Sequence, residues 1–361
     1  MPDLDSIAFP VLSDQQIAEL AECSGASYRR FEDGTLLFRA GDHNPSFYVV
    51  KAGQIEIVDC TGDARRTLAV HSKGSFTGDI TNITGGAVPV SAVAGGQLEA
   101  LEVSGDALTH ALNRCPLISD LILQAFIARR QLLRDSPEFT GLRLIGSRYS
   151  ADTTRLREFL IKNRALFTWL DTETEPEVAA TLKRFGISEA DTPVVACGSK
   201  LLLRNPSNRE LADRIGVHQS PEQIVYDLAI VGAGPAGLAA AVYAASEGLS
   251  TIVIEAEAPG GQSSNSMRIE NYLGFPTGIT GSELTERAIV QATKFDARFV
   301  VPGVVCSLTF EEGYPRLGLA DGDVVVSRTL LIAAGAEYRR LEVDGCRQYE
   351  GRGVYYAAMR S

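Results

Sequence analysis

Tyr226-Asp227-Leu228-Ala229-Ile230-Val231-Gly232-Ala233-Gly234-Pro235-Ala236-Gly237 decides how the rest of this chain is read. The stretch is an apolar strand that runs into a glycine-punctuated turn and then a helix. In its G-x-G-x-x-G spacing Gly232 allows the tight turn, Gly234 lets backbone N–H groups approach a pyrophosphate, and Gly237 lets the helix pack closely on the strand. The helix start at Pro235 and Ala236 offers a positive dipole end and, from Ala236 onward, unpaired N–H groups to phosphates. Alone, such a motif reads equally well as a ligand-free strand–helix turn. The residues beyond Gly237 decide between the two. Ala239, Ala240, Ala241, Ala244 and Ala245 supply the small residues of a closely packed helix, which Gly248 ends. A second apolar run, Thr251-Ile252-Val253-Ile254, delivers Glu255 at its C-terminal end, roughly 20 residues beyond the glycines, where an acid meets a ribose hydroxyl. Strand, glycines, helix, strand and acid in this order predict a dinucleotide site.

The length of 361 residues predicts two or three domains, and 45% hydrophobic with 22% charged residues is the composition of a soluble globular protein. A net charge of −11 and a pI near 5.0 exclude nucleic acid and anionic membrane as general partners. No apolar run approaches a spanning length, and Met1–Asp5 has neither a basic region nor an apolar core, so a cytoplasmic location is expected. Cys23, Cys60, Cys115, Cys197, Cys306 and Cys346 are scattered without a C-x-x-C pair. That spacing argues against a zinc site or a local redox dithiol and predicts small buried hydrophobes in a reducing compartment.

In the first third, Ser13-Asp14-Gln15-Gln16 has capping-box spacing and opens a helix ended near Gly25. Short strands follow: Leu36–Arg39, then Phe47–Val50, a turn at Ala52-Gly53, Gln54–Val58, a turn at Thr61-Gly62-Asp63, and Arg66–Val70. A helix from Pro116 carries Leu117, Leu121, Phe126 and Ile127 at helical spacing. The Ala40-Gly41-Asp42…Phe47-Tyr48-Val49-Val50…Gly53 series resembles the β-roll of cyclic-nucleotide-binding domains over roughly residues 10–135. The resemblance implies a phosphate cassette reading like F-G-E…R-x-x-[ST]. Here it runs from Phe76-Thr77-Gly78-Asp79 to Ala87-Val88-Pro89-Val90-Ser91, with Asp79 near the ribose-binding acid and the Arg position on about Val88. Without that guanidinium a buried phosphate loses its bidentate partner, so the fold is expected here and tight cyclic-nucleotide binding is not.

The middle segment reads as α/β: a strand at Leu142–Gly146, a helix over Thr153–Asn163, a strand at Leu166–Asp171, a helix across Glu177–Phe185, a hairpin from Thr192–Cys197 and Lys200–Leu203, and a last helix capped by Ser207 with Glu210. This order resembles a thioredoxin- or glutaredoxin-like domain, and Thr192-Pro193 matches that family's cis-proline. The family's dithiol would stand at Ser147–Asp152, which holds no cysteine, so thiol–disulfide exchange is excluded there and a docking or spacer role is expected.

From Tyr226 onward the chain resembles the FAD domain of thioredoxin-disulfide reductases. Pro259-Gly260-Gly261-Gln262, then Glu270-Asn271-Tyr272-Leu273-Gly274-Phe275-Pro276, and Leu330-Leu331-Ile332-Ala333-Ala334-Gly335-Ala336 are similar to stretches that family wraps around its flavin. The resemblance implies that Glu255 binds the adenosine ribose, that Gly261, Ala334 and Gly335 approach the cofactor, and that Gln262 and Asn271 contact its ribityl and ring region. Amide side chains suit a flavin because they donate or accept without a fixed charge. The approach Tyr349–Ala358 matches as well, but Ala357 and Arg360 stand where the family has its C-x-x-C, and the family would continue beyond Ser361 into an NADPH domain.

The expected architecture is multidomain α+β and α/β: a cyclic-nucleotide-binding-like β-roll over 1–138, a cysteine-less thioredoxin-like domain over 139–219, and an incomplete Rossmann-like FAD domain over 222–361. The expected cofactor is FAD, with NAD(P)H as electron donor only in the complete architecture. No metal site and no catalytic side chain are assigned, and reductases of this family are commonly homodimers. The alternative function is a non-catalytic regulatory protein with a nucleotide-sensing β-roll and a vestigial flavin site.

Overall fold

Five helices among the described residues begin at a Ser or Thr whose side chain accepts an N–H of the first turn. The computed structural model describes residues 3–59, 65–136, 139, 141–174, 178, 182, 186–188, 191–197, 201–336, 339, 341–349 and 354. The expected Thr61-Gly62-Asp63 turn, most of the helix expected over 177–185, and the Ala357 and Arg360 positions lie outside those residues. Two compact units result, Met1–Gln219 and Ser220–Ser361.

The first unit opens with α1 (Leu4–Ala8) and α2 (Asp14–Ser24). A reciprocal Ser13–Gln16 capping box starts α2, and Gly25 ends it in the left-handed conformation. Strands β1 (Ser27–Phe31), β2 (Leu36–Phe38), β3 (Phe47–Asp59), β4 (Arg66–His71) and β5 (Ser91–Val103) follow, with a short α3 (Thr81–Thr84) before β5. They form an antiparallel sheet in the order β1-β5-β3-β4, with β2 on β5. The turn expected at Ala52-Gly53 is instead an irregularity within one long β3, whose register against β5 shifts at Ala52. Gly53 takes φ +79° there, and a Cβ would press on the backbone of Gln97 and Leu98. Tyr48, Val50, Ile55, Ala92, Leu98 and Ala100 fill the roll.

Helices α4 (Gly105–Arg114) and α5 (Pro116–Asp135) close this half. Of the apolar residues at helical spacing in α5, Phe126 is buried but Leu117 is 84% exposed, and Ile118, Ile122, Ala125 and Arg129 are buried as well. Phe126 packs edge-on against Phe47 and Phe76, with ring centroids 6.2 and 6.4 Å apart. Cys23 and Cys115 are joined in a disulfide between the end of α2 and the start of α5, whereas the sequence predicts isolated small hydrophobes. Spacing could not reveal the pair because 92 residues separate the two.

The α/β part contains β6 (Leu142–Ile145), α6 (Ala151–Lys162), β7 (Phe167–Leu170), β8 (Val194–Cys197), β9 (Leu201–Arg204) and α7 (Asn208–Ile215). Its sheet order is β7-β6-β8-β9, with β6 and β7 parallel and the other pairs antiparallel. One face packs on Leu156, Phe159, Leu160 and Leu211, the other on Val178, Leu182 and Ile187. This part is tied to the roll: the Ala87 N–H donates to Ile215 O at 3.2 Å and the Gln219 amide to Thr84 O at 3.1 Å.

The second unit holds β10 (Val225–Val231), α8 (Pro235–Ser246), β11 (Thr251–Ile254), α9 (Gly281–Lys294), β12 (Arg298–Val300), β13 (Val305–Glu311), β14 (Tyr314–Leu319) and β15 (Val324–Ile332). The order is β12-β11-β10-β15-β14-β13. Strands β10, β11, β12 and β15 run parallel, and β13, β14 and β15 form an antiparallel meander. Among the described residues no helix is long and apolar enough to cross a membrane.

Candidate nucleotide-binding site

The three motif glycines occupy three different environments at the carboxyl end of β10. Gly232 takes φ +102°, and its N–H donates to Ile254 O at 2.8 Å, so the turn starts against β11. A Cβ on Gly232 would lie far inside van der Waals contact of Ala333 O, and one on Gly237 would collide with Gly232 O. Both are glycine because protein backbone occupies the space. Gly234 differs: its backbone is extended (φ −69°, ψ −177°), and a Cβ there would meet nothing within 4 Å. The open side of the turn is therefore at Gly234, beside Pro235 and Ala236 in the first turn of α8, where N–H groups have no intrahelical acceptor.

Glu255 follows β11 and turns back to the glycine loop. Its Oε2 accepts the Ala233 N–H at 2.8 Å and its Oε1 accepts the Glu257 N–H at 3.0 Å. A carboxylate has about four lone-pair directions, so this one retains acceptor capacity for a diol. The segment after it is folded over the turn: the Gly260 N–H donates to Ala233 O at 2.7 Å, and a Cβ on Gly261 would be 3.3 Å from Gly234 Cα. Gln262 donates its side-chain amide to Ala336 O at 2.8 Å. Ala334 and Gly335 arrive from β15, because the parallel β10–β15 pairing brings Ala333 to Val231, whose carbonyl accepts the Ala333 N–H at 2.8 Å.

Gly232, Gly234, Pro235, Ala236, Gly237, Glu255, Gly261, Gln262, Ala334 and Gly335 are thus brought to one end of the sheet. Asn271 is exposed in the loop closed by the Ile269–Ile279 bridge, where the Tyr272 and Phe275 rings lie tilted with centroids 6.4 Å apart. The backbones of Ala233, Gly260, Ala333 and Ala336 also build the site, and sequence reasoning missed them because main-chain groups leave no signature in residue type.

In the first unit, Val88 is buried, with its N–H on Asp42 O at 3.0 Å. The Asp79 carboxylate receives the Thr81 N–H at 2.9 Å and the Thr81 hydroxyl. At the start of α6, Ser147 donates to Glu173 at 2.6 Å and Arg148 pairs with Asp171. Burial alone would raise the Asp171 carboxyl, but the N–H of Glu173 and the Arg148 side chain outweigh it and hold it below its ordinary range. Thr192-Pro193 is cis, and a Cβ on Gly146 would be 3.1 Å from Pro193 Cβ.

Comparison with known proteins respects the same division. Residues 226–359 match the pyridine nucleotide-disulphide oxidoreductase family, and residues 28–115 match the cyclic nucleotide-binding domain. Over 138 residues the chain is 41% identical to a thioredoxin reductase of Bacillus subtilis, covering 38% of this chain and 43% of that protein. A thioredoxin reductase of Ureaplasma parvum is 38% identical over 137 residues, again 38% of this chain and 43% of the relative. The second unit is thioredoxin-reductase-like. A crystal structure of Lactococcus lactis thioredoxin reductase aligns with a TM-score of 0.35 at 35% identity, over 37% of this chain and 43% of that one. The chain therefore spans less than half the length of the curated relatives it matches, and the reductase-like sequence is joined here to a cyclic-nucleotide-binding-like segment.

Proposed function

We propose that the reductase-like unit binds FAD and belongs to an oxidoreductase that takes electrons from NAD(P)H. The observation that carries this reading is the open face of Gly234 between the Glu255 carboxylate and the first turn of α8. The residues fit the group: a diphosphate could approach the backbone at Gly234 without meeting a side chain, and Glu255 keeps lone pairs for ribose hydroxyls. Gly261, Gln262, Ala334 and Gly335 would line the continuation of the site, and Asn271 would have to approach from its separate loop. FAD supplies hydride acceptance at its ring, a chemistry no side chain offers. The chain's own residues bind, orient and shield. The three-part division at residues 138 and 219 is our reading as well, with the β-roll and the α/β part as accessory domains.

One observation favours a second reading, a regulatory protein without turnover: none of the six cysteines forms a C-x-x-C. Electrons leaving a flavin here would need an acceptor other than a neighbouring dithiol. Full-length protein incubated with FAD and desalted tests both readings. Retention of a yellow, stoichiometric flavin that NADPH bleaches anaerobically supports the oxidoreductase. Retained flavin that NADPH and NADH leave oxidised supports the regulatory reading, and no retained flavin refutes the cofactor.

A further inference from the structure

The β-roll holds a cavity of about 260 Å³ lined by residues of the roll, α1 and α5. Its most buried lining side chains are Phe38 of β2, Ile57 of β3 and Val88 ahead of β5. Leu68, Val90 and Leu132 are half-buried along it, and the Phe9 ring is 40% exposed. Valines thus stand in the stretch where the phosphate cassette would carry its arginine.

The polar groups on the wall are already engaged with the protein. Arg129 gives its Nε to Ala8 O at 2.7 Å and its Nη1 to Gly78 O at 2.8 Å, and its Nη2 has no surface open to the cavity. Asp79 is the counter-charge of that guanidinium. Its carboxylate also accepts the Thr81 N–H at 2.9 Å and faces Arg130 Nη1 at 3.4 Å. Burial, with Arg129 nearby, pushes His71 down to about 3, so its ring is uncharged at pH 7. Asp5 is exposed, and water solvates its carboxylate.

The buried charges of the wall therefore balance without a ligand. An anion entering the cavity would lie beside Asp79 and a cation beside Arg129, and neither would recover the hydration it gave up. A neutral apolar molecule has no such cost, and it takes both its own surface and the apolar wall out of water. An apolar cavity of roughly 150 Å³ holds one benzene, so the larger volume here suits a molecule of about two fused rings. We infer that this cavity binds a neutral, apolar one- or two-ring molecule against Phe38, Ile57, Val88 and Val90. This ligand class differs from the nucleotide after which the matching domain family is named. A nucleotide would present a polar sugar and a charged phosphate to valines.

Calorimetric titration of the full-length protein into naphthalene, 2-naphthoate and 2-naphthylmethylamine at pH 7 tests the inference, because the three share a ring system and differ in charge. Naphthalene is expected to bind once per chain, and the anion and the cation each about tenfold or more weakly. Cyclic AMP is expected to leave bound naphthalene in place. Leu68→Trp from the outer strand β4 and Leu132→Trp from α5 each put an indole into the cavity. Whichever variant keeps the wild-type far-ultraviolet spectrum should lose naphthalene binding. No binding of naphthalene, equal or tighter binding of either charged analogue, undiminished binding by a folded tryptophan variant, or displacement by cyclic AMP would each overturn the proposal.

Discussion

The Glu255 carboxylate accepts the backbone N–H of Ala233 at 2.8 Å, which fastens the acid after β11 to the middle of the glycine turn after β10. One side chain thereby shapes the loop and presents its remaining lone pairs where a ribose would lie. Glu255→Ala should lower both the stability of the second unit, by about 1–3 kcal/mol for the lost charge-assisted bonds, and FAD retention. Glu255→Gln retains an acceptor oxygen for Ala233 and should recover most of the stability but not the flavin. Thermal melts with and without FAD separate the two effects.

The environments of the glycines predict opposite outcomes for the same kind of change. Gly232→Ala and Gly237→Ala each drive a Cβ into backbone, and Gly232 also needs φ +102°, so both variants should be recovered mainly as insoluble protein. The Cβ of Gly234→Val would have open space out to 4 Å, so this variant should fold with little change in melting temperature, yet block a diphosphate from the turn. Soluble, colourless Gly234→Val beside yellow wild type is the expected result. A yellow Gly234→Val would remove the diphosphate from this place.

His71 predicts a pH dependence. Its folded-state value of about 3 lies below the ordinary 6.5, so between those limits the unfolded chain takes up a proton that the folded chain refuses. This contribution to stability is intact above pH 6.5 and is lost as pH falls towards 3, with a slope of up to about 1.4 kcal/mol per pH unit. In urea melts between pH 7 and pH 4.5, wild type should therefore lose more stability than His71→Leu. Equal losses would show that His71 is not buried neutral.

Gly216 marks the seam inside the first unit. It takes φ +72° at the end of α7, and a Cβ would press on the His43 ring and the Ala87 nitrogen. Gly216→Ala should destabilise by about 1–2 kcal/mol from the left-handed conformation alone, with the clash in addition. His43→Ala in the same chain should restore part of the loss, because it removes the ring from the contact. Calorimetry of single and double variants measures that coupling.

Local chemistry was what the sequence could carry. The Ser13 and Ser207 capping boxes, the apolar run of β10, its glycines and the acid after β11 all depend on neighbours within a few residues or one β–α–β step, so their spacing reports them. The helical spacing of Leu117, Leu121, Phe126 and Ile127 leaves open which side of a mixed stripe faces the roll; Phe126 faces it, against Phe47 and Phe76, and Leu117 does not.

Tertiary structure decided everything that joins distant segments. Parallel pairing of β10 with β15 carries Ala333 and Ala334 to Gly232, and no local pattern encodes strand order. The Cys23–Cys115 bond and the Arg129–Ala8 hydrogen bond likewise join residues about a hundred positions apart. The sequence by itself determined that a glycine turn and an acid stand ready at the end of a strand. Folding decided that Gly234 alone of the motif glycines faces open space, because whether a glycine makes room for backbone or for a ligand depends on what the rest of the chain brings beside it.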